Sequence, residues 1–177
     1  IETFGCQMNQ VDSARMLSLL ESAEYTAAKS FAEADLVLLN TCSVREKADQ
    51  KFRSALGRVK IWKNARKGRL VAVGGCLAQQ EGATIARKAP HVDIVFGTHN
   101  IARLPELVRR AEKAMASVAV DFSEDTSHWN VLPYLPEGAT SAMVTIMQGC
   151  ENFCAYCIVP YVRGNEISRP SGEILDE

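Results

Sequence analysis

Short apolar runs that recur along the chain constrain its fold more than any other feature. The clearest are residues 35–40, 69–73 and 92–96, and each is followed by apolar residues at helical spacing. Strands that alternate with amphipathic helices usually form a parallel sheet. The sequence therefore predicts an α/β fold, with an open, mostly parallel sheet of the flavodoxin- or Rossmann-like kind and helices on both faces.

The remaining elements follow the same rhythm. Residues 1–4 form the end of a first strand, and residues 118–120 are predicted as a fifth strand at an edge. Helices are predicted from Asp12 as an N-cap, over 45–66, over 78–88 and from Pro105 as a first helical residue. The helix over 45–66 presents one apolar face, formed by Ala48, Phe52, Ala55, Val59 and Trp62.

Composition changes after this unit. Residues 122–140 mix acids, Ser, Thr and prolines, and they are interpreted as a linker between an α/β domain at 1–121 and a second unit at 141–177. The second unit opens with a predicted strand over 142–147. It is too short to bury a core alone, so we expect it to be the beginning of a larger domain. The chain starts with Ile1, and we expect the natural start to be missing.

Charge and cysteine usage limit the functional class. The 177 residues carry a formal net charge of −1, which argues against nucleic-acid binding by charge alone. No apolar run approaches a membrane span, no signal peptide opens the chain, and six cysteines are present. Thiols without a secretory signal indicate a reducing, cytoplasmic location, where they serve metals or catalysis.

Three cysteines each follow one of three successive predicted strands. The sequence separation between consecutive cysteines is about the length of one βα repeat. Cys6, Cys42 and Cys76 are called the sheet-edge cysteines below. Because the carboxyl ends of parallel strands share one edge of a sheet, we expect these thiols to converge. Three converging thiolates fit an iron–sulfur cluster with one open iron. The alternative is three separate buried structural cysteines.

The other three cysteines lie in one short motif, C-x3-C-x2-C. Cys150, Cys154 and Cys157 are called the loop cysteines below. Three thiolates do not close a structural zinc site, which takes four ligands, and His128 is the nearest histidine. Three cysteines also leave one over if they pair as disulfides. A four-iron cluster accommodates three thiolates and keeps one iron open.

Five blocks of sequence resemble one known family. They are "TFGCQMNQVDS" (3–13), "LNTCSVREKA" (39–48), "GGCLAQQ" (74–80), "FGTHN" (96–100) and "QGCENFCAYCIVPYVRGNEISRP" (148–170). In this order they resemble the radical S-adenosylmethionine methylthiotransferases, and their amino-acid sequences are most similar to the tRNA branch of that family. The second unit would then be the first part of a radical S-adenosylmethionine (β/α) barrel.

The resemblance implies two 4Fe-4S clusters. The loop cysteines would hold the cluster that binds and cleaves S-adenosylmethionine to a 5′-deoxyadenosyl radical, with Tyr156 near the adenine of that cofactor. The sheet-edge cysteines would hold an auxiliary cluster that carries the sulfur. The implied reaction is methylthiolation of C2 of N6-isopentenyladenosine beside the anticodon of tRNA. The expected electron donor is flavodoxin or ferredoxin. The protein is expected to be a monomer that does not associate with membranes.

Two other functions remain open at this point. One is the same transferase reaction on a ribosomal protein, and the other is a non-catalytic iron–sulfur or zinc-binding module. The barrel would be cut after its first unit, so we expect this chain to be inactive alone. Iron and acid-labile sulfide would distinguish the cluster proteins from a zinc module.

Several polar residues have no single predicted role. Gln7, Asn9, Arg163, Glu166 and Arg169 lie near the cysteines in sequence and could bind a cofactor or pair with one another. A basic run over 58–69 is interpreted as a solvated helix face, and phosphate contact with tRNA is the alternative. The three histidines, His91, His99 and His128, and the aromatic residues Tyr25, Trp62 and Trp129 are expected to be structural.

Overall fold

A parallel sheet forms the centre of the molecule. The computed structural model describes residues 1–44, 46–123 and 126–177. Within them the strands are β1 (Glu2–Thr3), β2 (Leu36–Thr41), β3 (Leu70–Gly75), β4 (Ile94–Phe96) and β5 (Ser117–Ala119). They lie side by side in chain order, and each neighbouring pair is parallel. The predicted α/β class is confirmed, as is the edge position of the fifth strand.

Helices cover both faces of this sheet. They are α1 (Gln7–Ser22), α2 (Glu46–Asn64), α3 (Cys76–Lys88) and α4 (Leu104–Glu112), the last preceded by a 3-10 turn at Ile101–Arg103. One buried cluster joins α2 and α3 to alternate residues of the strands, and a second joins α1 and α4 to the residues between them. This alternation follows from the period of two along a strand.

The second helix follows its apolar pattern closely. The five residues predicted to face inward are all buried. Trp62 contributes to this core and stacks beneath the Arg69 guanidinium, 4.6 Å from the ring centroid. The predicted first residue of this helix, Arg45, lies outside the described residues.

The start of α1 differs from the prediction. The helix begins at Gln7, with Cys6 as its N-cap, and Asp12 is a buried residue inside it. The reason is local, because the Asn9 side chain accepts a hydrogen bond from the Cys6 backbone N–H over 3.3 Å. This contact is one half of a capping box, and it places the N-cap six residues earlier than predicted.

The strand predicted over 142–147 is also wrong in extent. Only β6 (Met147–Gln148) forms, and it pairs antiparallel with β7 (Ile167–Ser168). Met143, Val144 and Ile146 are apolar but exposed, so they do not pack into a core within the described residues. Two short helices, α5 (Val159–Arg163) and α6 (Ser171–Asp176), complete this region. The barrel expected here stays a prediction, as does the division into domains.

The C-terminal residues rest on the α/β unit. Helix α5 contacts α3, and Thr98 Oγ1 donates to the Val162 carbonyl over 2.6 Å. A 3-10 turn at Ser127–Asn130 buries His128 and Trp129. Among the described residues, no helix combines the length and apolar character that crossing a membrane requires.

Candidate metal centre at the sheet edge

A cavity of about 220 Å³ lies where the C-terminal residues meet the carboxyl edge of the sheet. The residues around it come from both parts of the chain. They are Cys6, Met8, Cys42, Val44, Cys76, Met147, Gln148, Gly149, Val159, Val162 and Arg163. We call this space the cysteine cavity, since all three sheet-edge cysteines line it.

Each sheet-edge cysteine reaches the cavity from the end of a strand. Cys6 is the N-cap of α1, Cys42 directly follows β2, and Cys76 directly follows β3 and opens α3. Helix N-termini carry partial positive charge, which favours a thiolate. Burial raises the pKa of the Cys76 thiol, and the nearby Arg163 guanidinium opposes that shift. The predicted convergence of these three residues is therefore present as a shared cavity wall.

Asparagine side chains hold the first two cysteine loops together. Asn9 is fully buried, and its Nδ2 donates to the Thr41 carbonyl over 2.9 Å, one residue before Cys42. Its Oδ1 accepts from the Cys6 backbone N–H. Asn40 Nδ2 in turn donates to the Asn9 carbonyl over 2.8 Å. These bonds tie Cys6 to the end of β2, so the polar groups of Asn9 are used in hydrogen bonds within the protein.

Glycine is required where the third loop approaches the second. Gly75 has a φ of 95°, and a Cβ there would lie 2.4 Å from the Thr41 carbonyl oxygen. No larger residue fits without displacing β2 backbone. Gly75 immediately precedes Cys76, so this close approach sets the position of that thiol relative to Cys42.

A buried ion pair adjoins the cysteine cavity, and its Arg163 is one of the lining residues. Arg163 of α5 donates from Nη2 to Asp12 Oδ2 of α1 over 2.7 Å, and both side chains are about 95% buried. Burial lowers the pKa of Arg163, but the Asp12 carboxylate and Cys76 raise it, and the net shift is upward. The guanidinium is therefore a permanent positive charge beside the thiols.

The metal donors that line the cavity are the three sheet-edge thiols. Among the described residues, no group of three or more His, Cys, Asp or Glu side chains is arranged to hold one metal ion. Cysteine thiolates are the usual ligands of iron–sulfur clusters. Three thiols that line one largely apolar cavity are chemically suited to that role.

The loop cysteines lie outside regular structure. Cys154 is exposed, whereas Cys150 and Cys157 are partly exposed. Asn152 Nδ2 donates to the Cys150 sulfur over 3.2 Å, and the Cys157 N–H donates to the Cys154 carbonyl over 2.9 Å. Tyr156 is 92% exposed, so its ring is free to contact a ligand bound at this loop.

The polar residues without a predicted role now divide into two groups. Arg163 and Arg169 are buried and pair with carboxylates, Arg163 with Asp12 and Arg169 with Glu177. Gln7 and Glu166 are exposed. The pairing of residue 12 with residue 163 was missed in the sequence, because no local pattern relates charges on two such distant helices.

Basic residues over 58–69 are mostly engaged on the protein itself. Arg58 pairs with Glu2, Lys63 with Asp93, and Arg66 with Asp35. Arg69 donates to backbone carbonyls of Ala32 and Trp62. Arg58 and Arg66 remain largely exposed, as predicted for a solvated helix face, whereas Lys63 is partly buried.

Comparisons with known proteins agree with the motifs. The family model described as "Uncharacterized protein family UPF0004" matches residues 1–97. A protein of Geobacter sulfurreducens named tRNA-2-methylthio-N(6)-dimethylallyladenosine synthase is 51% identical over 178 residues, which cover 100% of this chain and 40% of the relative. Proteins of the same name from Geobacter metallireducens and Syntrophotalea carbinolica are 52% and 50% identical, with 40% and 41% of their lengths covered.

The chain thus spans about 40% of the length of the curated relatives it matches. The resemblance to the tRNA branch, drawn from five short blocks, is confirmed by relatives that align with the whole chain. The family model covers more than half of the residues, including all three sheet-edge cysteines. The chain belongs to the uncharacterized protein family UPF0004.

Proposed function

We propose that these residues contribute both cysteine sites of an enzyme that methylthiolates C2 of N6-isopentenyladenosine beside the anticodon of tRNA. The names of the relatives support the reaction and its tRNA substrate. The single observation that carries the proposal is the cysteine cavity, where thiols from three strand ends meet beside the C-terminal residues.

The two cysteine sites have different roles in this proposal. The sheet-edge cysteines hold a 4Fe-4S cluster in an apolar, partly enclosed cavity, which protects it from water. The loop cysteines hold a second 4Fe-4S cluster on an exposed loop, where S-adenosylmethionine has access. When bound, the clusters and S-adenosylmethionine supply the one-electron chemistry that replaces an unactivated C–H bond.

Other residues of the chain position these groups. Tyr156 offers an exposed ring to the adenine of S-adenosylmethionine. Asn9, Asn40 and Gly75 keep the sheet-edge thiols in place. We also propose a flavodoxin or ferredoxin as electron donor, a monomeric state, no membrane association and a cytoplasmic location.

Iron and acid-labile sulfide per chain test this proposal. After anaerobic reconstitution we expect about eight irons in the parent and about four in each of two triple-alanine variants. One variant lacks the sheet-edge cysteines, and the other lacks the loop cysteines. S-adenosylmethionine should perturb the visible absorption only of proteins that keep the loop cysteines.

The two variants act as controls for each other, because each removes three thiols. If the variant without the sheet-edge cysteines kept all the iron of the parent, these residues would be ordinary core cysteines. If zinc replaced iron in the parent, the non-catalytic metal module would be the correct function.

A further inference from the structure

Arg163 has a buried hydrogen-bond donor that no contact within the described residues uses. It lines the cysteine cavity, is 5% exposed, and uses Nη2 for the ion pair with Asp12. Its Nη1 is buried and has no hydrogen-bonding partner within the described residues. A buried unpaired donor is costly and uncommon, so such a group calls for a ligand.

The pairing with Asp12 orients this guanidinium. Asp12 is on α1, the helix that Cys6 caps, whereas Arg163 is on α5 of the C-terminal residues. Thr98 Oγ1 holds the Val162 carbonyl, one residue before Arg163. The ion pair and the backbone contact thus hold the arginine in place, and its side chain shares the cavity lining with Cys76.

We propose that Arg163 is a positioning residue of the cysteine cavity, which donates a hydrogen bond from Nη1 to a sulfur atom of the cluster held there. The C-terminal residues thereby complete the electrostatic environment of the sheet-edge cysteines. This inference rests on the proposed function, since it presumes a cluster on these three thiols.

The physical consequence is a change in reduction potential. Hydrogen bonds to cluster sulfurs and nearby positive charge stabilise the reduced, more negative cluster, and so raise its potential. Asp12 has the opposite effect through its negative charge. Replacing Arg163 should therefore lower the potential, and replacing Asp12 should raise it.

The experiment measures the reduction potential of the cluster in a background that lacks the loop cysteines, so that only the sheet-edge site holds iron. In this background we expect Arg163→Gln to lower the equilibrium constant for one-electron reduction by about tenfold, which is about 59 mV. Asp12→Asn should shift the potential in the opposite direction. Arg163→Lys, which keeps the charge, should stay closer to the parent than Arg163→Gln.

Arg103→Gln is the matched control. Arg103 is also paired with an aspartate, Asp121, but it does not line the cavity. The control removes the same unit charge and should leave the potential unchanged. If Arg163→Gln loaded iron with the parental potential, or if Arg103→Gln shifted it equally, the proposed role of Arg163 would be overturned.

Loss of iron has its own interpretation. If Arg163→Gln failed to load iron, the other two variants would still test the proposal. A raised reduction potential in Asp12→Asn, together with a nearly parental potential in Arg163→Lys, would support it. A lowered potential in Asp12→Asn would overturn it, because both changes would then act only by disturbing the fold. If the background itself held no iron, the proposed function would fail first.

Discussion

At the scale of single residues, Asn9 connects the chemistry of the site to the stability of the fold. Its side chain satisfies the Cys6 backbone N–H and the Thr41 carbonyl, both near thiols of the cavity. Asn9→Ala leaves these groups without that partner, so we expect the free energy of unfolding to fall by about 1–3 kcal/mol. Urea unfolding under reducing conditions measures this as a lower midpoint with an unchanged slope.

Gln10→Ala is the matched control for that change. Gln10 is the next residue of α1 but is exposed. Its replacement should alter the free energy of unfolding by no more than about 0.5 kcal/mol. Equal midpoints for the two variants would show that the Asn9 bonds contribute little to stability.

The residues of the candidate site differ in how far their sequence pattern predicts them. The sheet-edge cysteines were predicted to meet because each follows a strand, and the geometry of a parallel sheet fixes where strands end. Asp12 was predicted as an N-cap and is instead buried in an ion pair with Arg163. Long-range pairing of single charges depends on how distant elements dock, and local sequence contains no signal for it.

At the scale of elements, the turn from β3 into α3 depends on a glycine. Gly75 has a positive φ, and an added Cβ would meet the Thr41 carbonyl. We expect Gly75→Ala to lower the free energy of unfolding by more than about 1 kcal/mol, because both the backbone conformation and the space disfavour a side chain.

The same substitution in α2 should have the opposite sign. Gly57 is inside that helix, and a Cβ there would meet nothing within 4 Å. Gly57→Ala should therefore raise the free energy of unfolding by about 0.5–1 kcal/mol. Thermal or urea unfolding of both variants measures the contrast, and a loss of stability in Gly57→Ala would contradict it.

Helix α2 was predicted well, whereas the strand over 142–147 was not. Helix α2 repeats its apolar residues over many turns, and all five predicted positions are buried. Residues 142–147 combine apolar side chains with no such repeat, and most of them remain outside a strand. An apolar run predicts a strand or helix because its residues are usually buried in the core. The prediction fails where, as here, the run stays exposed.

At the scale of the whole molecule, buried charges join the C-terminal residues to α1. Arg15 donates from Nη1 to Thr145 Oγ1 over 2.7 Å and from Nη2 to Glu177 over 3.0 Å. Arg169 pairs with the same glutamate and also donates to the Thr145 carbonyl over 2.8 Å. One carboxylate thus neutralises two arginines, and all three side chains are nearly inaccessible to solvent.

This arrangement predicts unequal effects of removing its members. Glu177→Gln leaves Arg15 and Arg169 buried together without their shared counter-charge, and an uncompensated buried charge costs about 3–5 kcal/mol. Arg15→Met still leaves Glu177 paired with Arg169. The first variant should therefore release the C-terminal residues from the α/β unit much more than the second.

Native-state hydrogen exchange measures this release through the Arg169 amide, which donates to the Ile146 carbonyl over 2.9 Å. In Glu177→Gln we expect its protection to fall about 100-fold or more, because the C-terminal residues open locally. Amides within β3 should keep their protection, since the sheet stays folded. Equal losses at Arg169 in both variants would show that hydrogen bonds, and not charge balance, hold this part of the molecule in place.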